Sequence, residues 1–330
     1  GNNILAGGWN NNTGGAATIT KNGTGKWTLS GTNNYTGATT VNAGTLQFAT
    51  MASLYNNTPA NWTAANINTK AGATFAVNLD SAGAAGFNSS NLNTLLTNIS
   101  VAGTAAQGLQ SGARIGLDTS TATGGTFTQG DVIANSTGAN GGAIGLTKLG
   151  TGTLILDKVN TYTGPTTVSA GILVVNGSTD SASTVTVNTG GTLGGTGIVG
   201  GAVTVGPGGT LAPGASPGQL TLSTSLALDA TSNSVFELGG TTLGTGYDNV
   251  TMGNLASSIA FGGNLSVVNF GMFDMDAVTN VYDLFDLGSL TSSSSFNTIT
   301  VNSVALTNNS GVWTGASGLA NYEFSEVTGD

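Results

Sequence analysis

Short apolar runs recur along the chain with a period of two, separated by turn residues, as expected of strands with one buried face. In KWTL, Trp27 and Leu29 point one way; Val41 and Ala43 open a second inward row, Gly44 interrupts it, and Leu46 and Phe48 follow. Residues 21–46, KNGTGKWTLSGTNNYTGATTVNAGTL, return as residues 148–173, KLGTGTLILDKVNTYTGPTTVSAGIL, with 15 of 26 positions identical at an offset of 127. Each copy reads strand, turn, strand, turn, strand, with Asn-x-Tyr-Thr-Gly as the central turn.

A shorter echo follows. VTVNTGGTL at 185–193 reappears as VTVGPGGTL at 203–211, an offset of 18. A β-solenoid needs about 18 to 25 residues per coil, with glycine wherever a corner demands positive φ. One coil cannot bury its apolar row alone, so the pattern predicts many stacked coils.

The spacing is disturbed between about 49 and 147. TPANWTAANI at 58–67 opens like a short helix, with Thr58 as cap and Pro59 in the first turn. SSNLNTLLTNI at 89–99 predicts another, because Leu92, Leu95, Leu96 and Ile99 share a face. GATFAVNL at 72–79 and the stretch 143–156 resume the strand pattern, which makes these helices insertions in a solenoid. PGGTLAPGASPGQL at 207–220 turns the chain between coils or toward a closing unit. Beyond it, strands are expected near 234–238, 263–270, 281–286, 297–305 and 319–327, as an antiparallel cap protecting the last coil from edge pairing. The expected organisation is a solenoid over 1–225 and a C-terminal β cap or assembly region over 226–330.

Composition narrows the chemistry. The 330 residues include 54 Gly and 5 Pro but no Cys and no His, which excludes collagen, a disulfide-stapled scaffold and any Cys/His metal or catalytic centre. Charged residues are only 6%, leaving Asn, Thr, Ser and Gly to cover the surface, a composition that points outside the cell. All six bases lie in residues 1–165, which carry four acids and sum to +2; residues 166–330 carry eleven acids and no base. That asymmetry favours head-to-tail association between copies of the chain. No basic cluster suits nucleic acid, and no apolar run of 18 residues could span a bilayer as a helix. The chain opens on Gly1 with no basic and apolar leader, so a secreted form is expected to have lost its signal peptide and a C-terminal sorting segment.

Candidate sites are few. Asp274, Asp276, Asp283 and Asp286 form the densest acidic group, for which paired-carboxylate glycoside chemistry and Ca²⁺ chelation are the two functional readings. Neither has its usual spacing, so no catalytic residue and no cofactor is assigned, with calcium the one ion to test there. Asp80, Asp118, Asp131, Asp157 and Asp180 are scattered, and the serines lack a base to activate them. GTGKW at 23–27 lacks the Lys-Ser/Thr ending of a phosphate loop. Asn33 and Tyr35, with their equivalents Asn160 and Tyr162, read either as carbohydrate platforms or as structural corners; recurrence at the same phase favours corners, with Gly37, Gly44, Gly164 and Gly171 as further corner residues. Trp9, Trp313, Tyr322 and Phe324, near the two ends, are candidate assembly contacts.

GTGKWTLSGTNNYTGATTVNAGTLQF at 23–48 and GTGTLILDKVNTYTGPTTVSAGILVV at 150–175 resemble the autotransporter-associated β-strand repeat of bacterial surface passenger regions. GTLAPGASPGQLTL at 209–222, FELGGTTLGTGYDNV at 236–250 and VYDLFDLGSL at 281–290 are similar to the C-terminal half of secreted proteins that carry such repeats and a sorting tail. The resemblance implies a right-handed parallel β-helix displayed on, or released from, a bacterial envelope, and implies no activity. No membrane barrel of alternating strands is recognisable. The expectation is therefore a non-enzymatic extracellular structural protein that self-associates into a surface fibre, sheath or matrix. An adhesin binding glycans or host surfaces through the 49–147 insertions is the alternative. A secreted polysaccharide hydrolase comes third.

Overall fold

The computed structural model of the chain describes residues 1–330 except 84, 102–106, 215, 254–257, 272–279, 291, 318–319, 328 and 330, and the side chains of 317 and 320. Two compact units, Gly1–Thr167 and Val168–Asp330, divide it. Each is a parallel β-helix, built because one strand pairs with the strand a coil later and like residues stack upon like.

In the first unit, Lys26–Leu29, Thr45–Phe48, Thr74–Asn78, Arg114–Asp118 and Gly145–Leu149 pair in parallel register. Trp27, Leu46, Phe75, Ile115 and Leu146 make one inward column of that sheet. Leu29, Phe48, Val77, Leu117 and Lys148 make the other. Ile19–Lys21, Thr39–Val41, Ile67–Thr69 and Gly108–Leu109 form a second face, and Thr126–Gln129 with Thr153–Leu156 belongs to a third.

The coils differ in length, and the extra residues are the insertions. Lys26 pairs with Thr45, 19 residues on, whereas Thr74 pairs with Arg114, 40 residues on. Within that longest coil sits the helix α1 (Ser89–Ile99), which buries Leu92, Leu95, Leu96 and Ile99 as its periodicity requires and is capped by Asn88, whose side chain accepts the Asn91 N–H at 2.9 Å. The helix expected over 58–67 is instead a single 3₁₀ turn, Pro59–Asn61. Trp62 ends it because its indole is drawn into the core with no exposure, packed at a tilt against Phe87 with ring centroids 5.3 Å apart, and an ordinary strand, Ile67–Thr69, follows.

In the second unit the offset of 18 proves to be one coil: Val185, Thr186 and Val187 pair with Val203, Thr204 and Val205, and Thr192 and Leu193 with Thr210 and Leu211. Parallel pairing continues past residue 226, where the sequence pattern placed the start of an antiparallel cap. Asn233–Leu238 pairs with Asn264–Asn269, and Asn264–Asn269 with Thr298–Val301, all parallel. Among the described strands of this unit, only Val304–Ala305 and the meander Thr307–Asn309, Val312–Ser317 and Ala320–Ser325 pair antiparallel. The longer spacing of these last coils, Asn264 to Thr298 for instance, is what made them read as hairpin strands. An aromatic chain fills this end, with Phe236 and Phe261 against Phe285, Phe261 stacked on Phe296 at 4.6 Å, and Phe296 against Phe324 of the meander at 6.0 Å.

Candidate functional site

The repeat motif supplies the most elaborate polar construction in the molecule. At its corner Asn33 is fully buried, its Oδ1 accepting the Trp9 N–H at 2.8 Å from the preceding coil and its Nδ2 donating to the Ser53 carbonyl at 2.6 Å in the following one. Asn160 likewise accepts the Ile133 N–H at 2.9 Å. Tyr35 and Tyr162 are buried, and their hydroxyls pair with Thr39 Oγ1 at 2.7 Å and Thr166 Oγ1 at 2.6 Å. Burial pushes the Tyr35 phenol far up, the nearby Tyr55 adding to the effect. These rings are core, with no face left for a sugar.

Gly44 has φ +66°, and Gly171 φ +65°, the left-handed conformation a corner was expected to need. Gly37 and Gly164 are glycines for a different reason. Neither is left-handed, but a Cβ on Gly37 would lie 2.4 Å from the Ala17 carbonyl oxygen and one on Gly164 2.4 Å from that of Ile144, so close approach of the neighbouring coil excludes a side chain.

Two parts of the corner escaped the sequence reading. Asn11 Oδ1 accepts the N–H groups of Thr36 and Ala17, both at 3.0 Å, and Asn135 likewise accepts from Thr163 at 2.8 Å and Ile144 at 3.2 Å. They lie 124 residues apart, off the offset of 127, so a fixed-offset alignment passes over them. The lysines are the second omission. Lys21 is 1% exposed, and its Nζ donates to the carbonyls of Asn22, Gly23 and Ala43 at 3.1, 2.6 and 3.1 Å. Lys148 is fully buried and donates to those of Leu149 and Gly150 at 2.9 and 2.8 Å. Each ammonium thus gathers the carbonyls at the entry to a Gly-Thr-Gly turn, and Lys21 takes one more from the next coil. The available signal was phase: Lys21 follows Ile19 by two and shares its inward direction. Burial lowers both lysines, Lys148 to about 8 with Asp118 opposing.

The acids are occupied with backbone. Asp80, Asp118, Asp180, Asp229 and Asp286 each accept the N–H two residues on, closing a turn. Asp118 also accepts from Gln47 Nε2 at 2.8 Å and stands 3.8 Å from Lys26 Nζ. Asp248 clamps two segments, accepting from Gly218 at 2.7 Å and Glu237 at 2.8 Å. Of the calcium candidates, Asp274 and Asp276 lie outside the described residues. Asp283 and Asp286 are placed, and among the described residues no three acids gather in a metal-holding group. Of the candidate assembly contacts, Trp9 is 41% exposed and Tyr322 half-buried, whereas Trp313 and Phe324 are cross-strand neighbours buried inside the meander.

These features define a scaffold: parallel coils riveted at recurrent corners by Asn, Tyr and Lys side chains, with polar chemistry directed at backbone. The comparisons agree with that class. The passenger-associated-transport-repeat family matches residues 19–48 and 146–175, the two copies of the corner motif. The chain thus carries two copies of a repeat found in transported passenger regions. It is also 45% identical over 80 residues to the Adhesin BmaC autotransporter of Brucella suis biovar 1 (strain 1330). That match covers 24% of this chain and 2% of the adhesin, so the chain corresponds to a small part of its relative. No helix among the described residues is long and apolar enough to cross a membrane.

Proposed function

We propose that the chain is a non-enzymatic adhesive scaffold whose coils hold a rigid side loop out for contact with glycans or host surfaces. The observation that carries this is the loop at 55–58. Tyr55, Asn56 and Asn57 are three consecutive non-glycine residues in the left-handed region, at φ 50°, 48° and 52°. Such backbone costs about 1–3 kcal/mol per residue and persists where surrounding structure imposes it. Here Tyr55 imposes it from below, buried with its ring 4.5 Å from Tyr35 and its hydroxyl on the Asn66 carbonyl at 2.9 Å. Above it Asn56, Asn57 and Thr58 stand exposed. The adhesin relative supports the same reading.

The triple variant N56G/N57G/T58A keeps the left-handed backbone and removes the presented side chains. Soluble wild-type protein is expected to bind a glycan array or host cells, and the variant to lose that binding with no fall in its melting temperature. Equal binding by both would sink the proposal.

A second reading, head-to-tail association into a fibre, is favoured by the asymmetry of charge between residues 1–165 and 166–330. Sedimentation at rising concentration, with electron microscopy of the product, tests it; monomers throughout would exclude a fibre.

A further inference from the structure

Ser292, Ser293, Ser294 and Ser295 line an open cleft of about 250 Å³ with Gly311, Glu326 and Val327. Glu326 is 5% exposed. Its Oε1 accepts the Phe296 N–H at 2.8 Å, and Oε2 has no hydrogen-bond partner among the described residues. Oε2 faces the Gly311 wall, 3.9 Å from where a Cβ on that glycine would stand. With Oε1 fixing the carboxylate in place, Oε2 is open to the cleft and available to a donor from a ligand.

Three of the four serine hydroxyls direct their protons to backbone carbonyls and away from a ligand. Ser292 Oγ gives its proton to the Ser294 carbonyl, Ser293 Oγ to that of Ile259, and Ser294 Oγ to that of Phe261. Lone pairs remain on Ser293 and Ser294 for a ligand. The cleft is therefore rich in acceptors, in a half of the chain that has eleven acids and no Lys or Arg of its own. A primary ammonium, with three donors and no acceptor, matches that lining. A calcium ion, which takes six to eight oxygens and commonly several carboxylates, does not.

We propose that this cleft binds a primary ammonium group, with Glu326 as its counter-ion and the serine oxygens as its further acceptors. Two sources offer that chemistry, a free amine such as an amino sugar and a lysine of a second copy, whose bases all lie in residues 1–165.

Calorimetric titration of the full chain with glucosamine and with cadaverine, and with N-acetylglucosamine as the uncharged control, tests the proposal. Both amines are expected to bind saturably and the control not to bind. E326Q keeps an acceptor for Phe296 N–H and is expected to retain the wild-type melting temperature while binding the amines about tenfold or more weakly, the loss of one charge-assisted contact. Sedimentation separates the sources. Association dispersed by cadaverine and absent in E326Q assigns the ammonium to a second copy; amine binding by a monomer assigns it to a free ligand. The proposal is overturned if neither amine binds, if the neutral sugar binds equally, or if E326Q binds as the wild type does.

Discussion

Lys148 stacks on Leu117 in the column that begins at Leu29, whereas Lys21, its equivalent in the repeat, stacks on Val41 on another face. The two copies of one motif are thus turned by one face within the first unit. Coil length explains the turn. Following the column from Lys26 through Thr45, Thr74 and Arg114 ends at Gly145, while the repeat equivalent of Lys26 is Thr153, which pairs instead with Thr126. On either face the ammonium bonds the carbonyls of the two residues that follow it, Asn22 and Gly23 or Leu149 and Gly150.

Removing that ammonium leaves buried carbonyls without donors. K21M and K148M are each expected to lower the unfolding free energy by about 1–3 kcal/mol, measured by denaturant melts. Lys148 also carries a pH signature. Its folded pKa of about 8 lies below the ordinary lysine value, so folding releases a proton in the interval between them. Charging Lys148 therefore costs more in the folded chain than in the unfolded one, a cost that is absent above the ordinary lysine value and complete once pH has fallen below about 8. Wild-type stability minus that of K148M should therefore rise from pH 8 toward 10.

Asn33 joins three coils, and no other side chain of its size offers the same acceptor and donor. N33A is expected to cost about 2–3 kcal/mol, two buried hydrogen bonds with their partners left unpaired. N33D keeps the bond from Trp9 N–H but sets a carboxylate oxygen against the Ser53 carbonyl, and should be at least as damaging. Hydrogen exchange at the Trp9 amide provides a local readout.

Two kinds of glycine should separate by substitution. Gly72 has φ +76° and nothing near its absent Cβ, so G72A is expected to cost about 1–2 kcal/mol for the left-handed backbone alone. Gly37 has the opposite combination, ordinary φ and a carbonyl oxygen 2.4 Å from the Cβ position. G37A must push two coils apart and should cost more than G72A. The reverse order in thermal melts would refute the close-approach account.

Asp248 gives the second unit an acid-side dependence. Burial raises its carboxyl to about 6, against the two backbone N–H groups that favour the charged form and with the charge of Glu237 adding to the rise. Because the folded pKa is raised, its contribution is fully present below the ordinary aspartate value and is lost as pH rises through 6. Lowering pH from 7 toward 4 should strengthen the wild type relative to D248N, which lacks the titration.

The coil was legible in the chain itself. A period of two, the offset of 18 and the repeated Asn-x-Tyr-Thr-Gly corner report local geometry, since each strand and its turn are set by neighbouring residues. The same locality delivered α1, whose leucines follow one helical face. It also delivered Tyr35 and Tyr162 as corner residues, though not their Thr39 and Thr166 partners.

What the sequence determined by itself is a stack of coils with insertions and without His or Cys chemistry. Only the tertiary structure decided the rest: which face each repeat copy occupies, that parallel pairing runs on to Val301, that Lys21 and Lys148 lie inside, and that Glu326 keeps one oxygen for a cleft. The physical reason is common to all four. In a solenoid the pairing partner lies one coil away, coil length varies with every insertion, and burial is settled by residues whose distance along the chain no local pattern records.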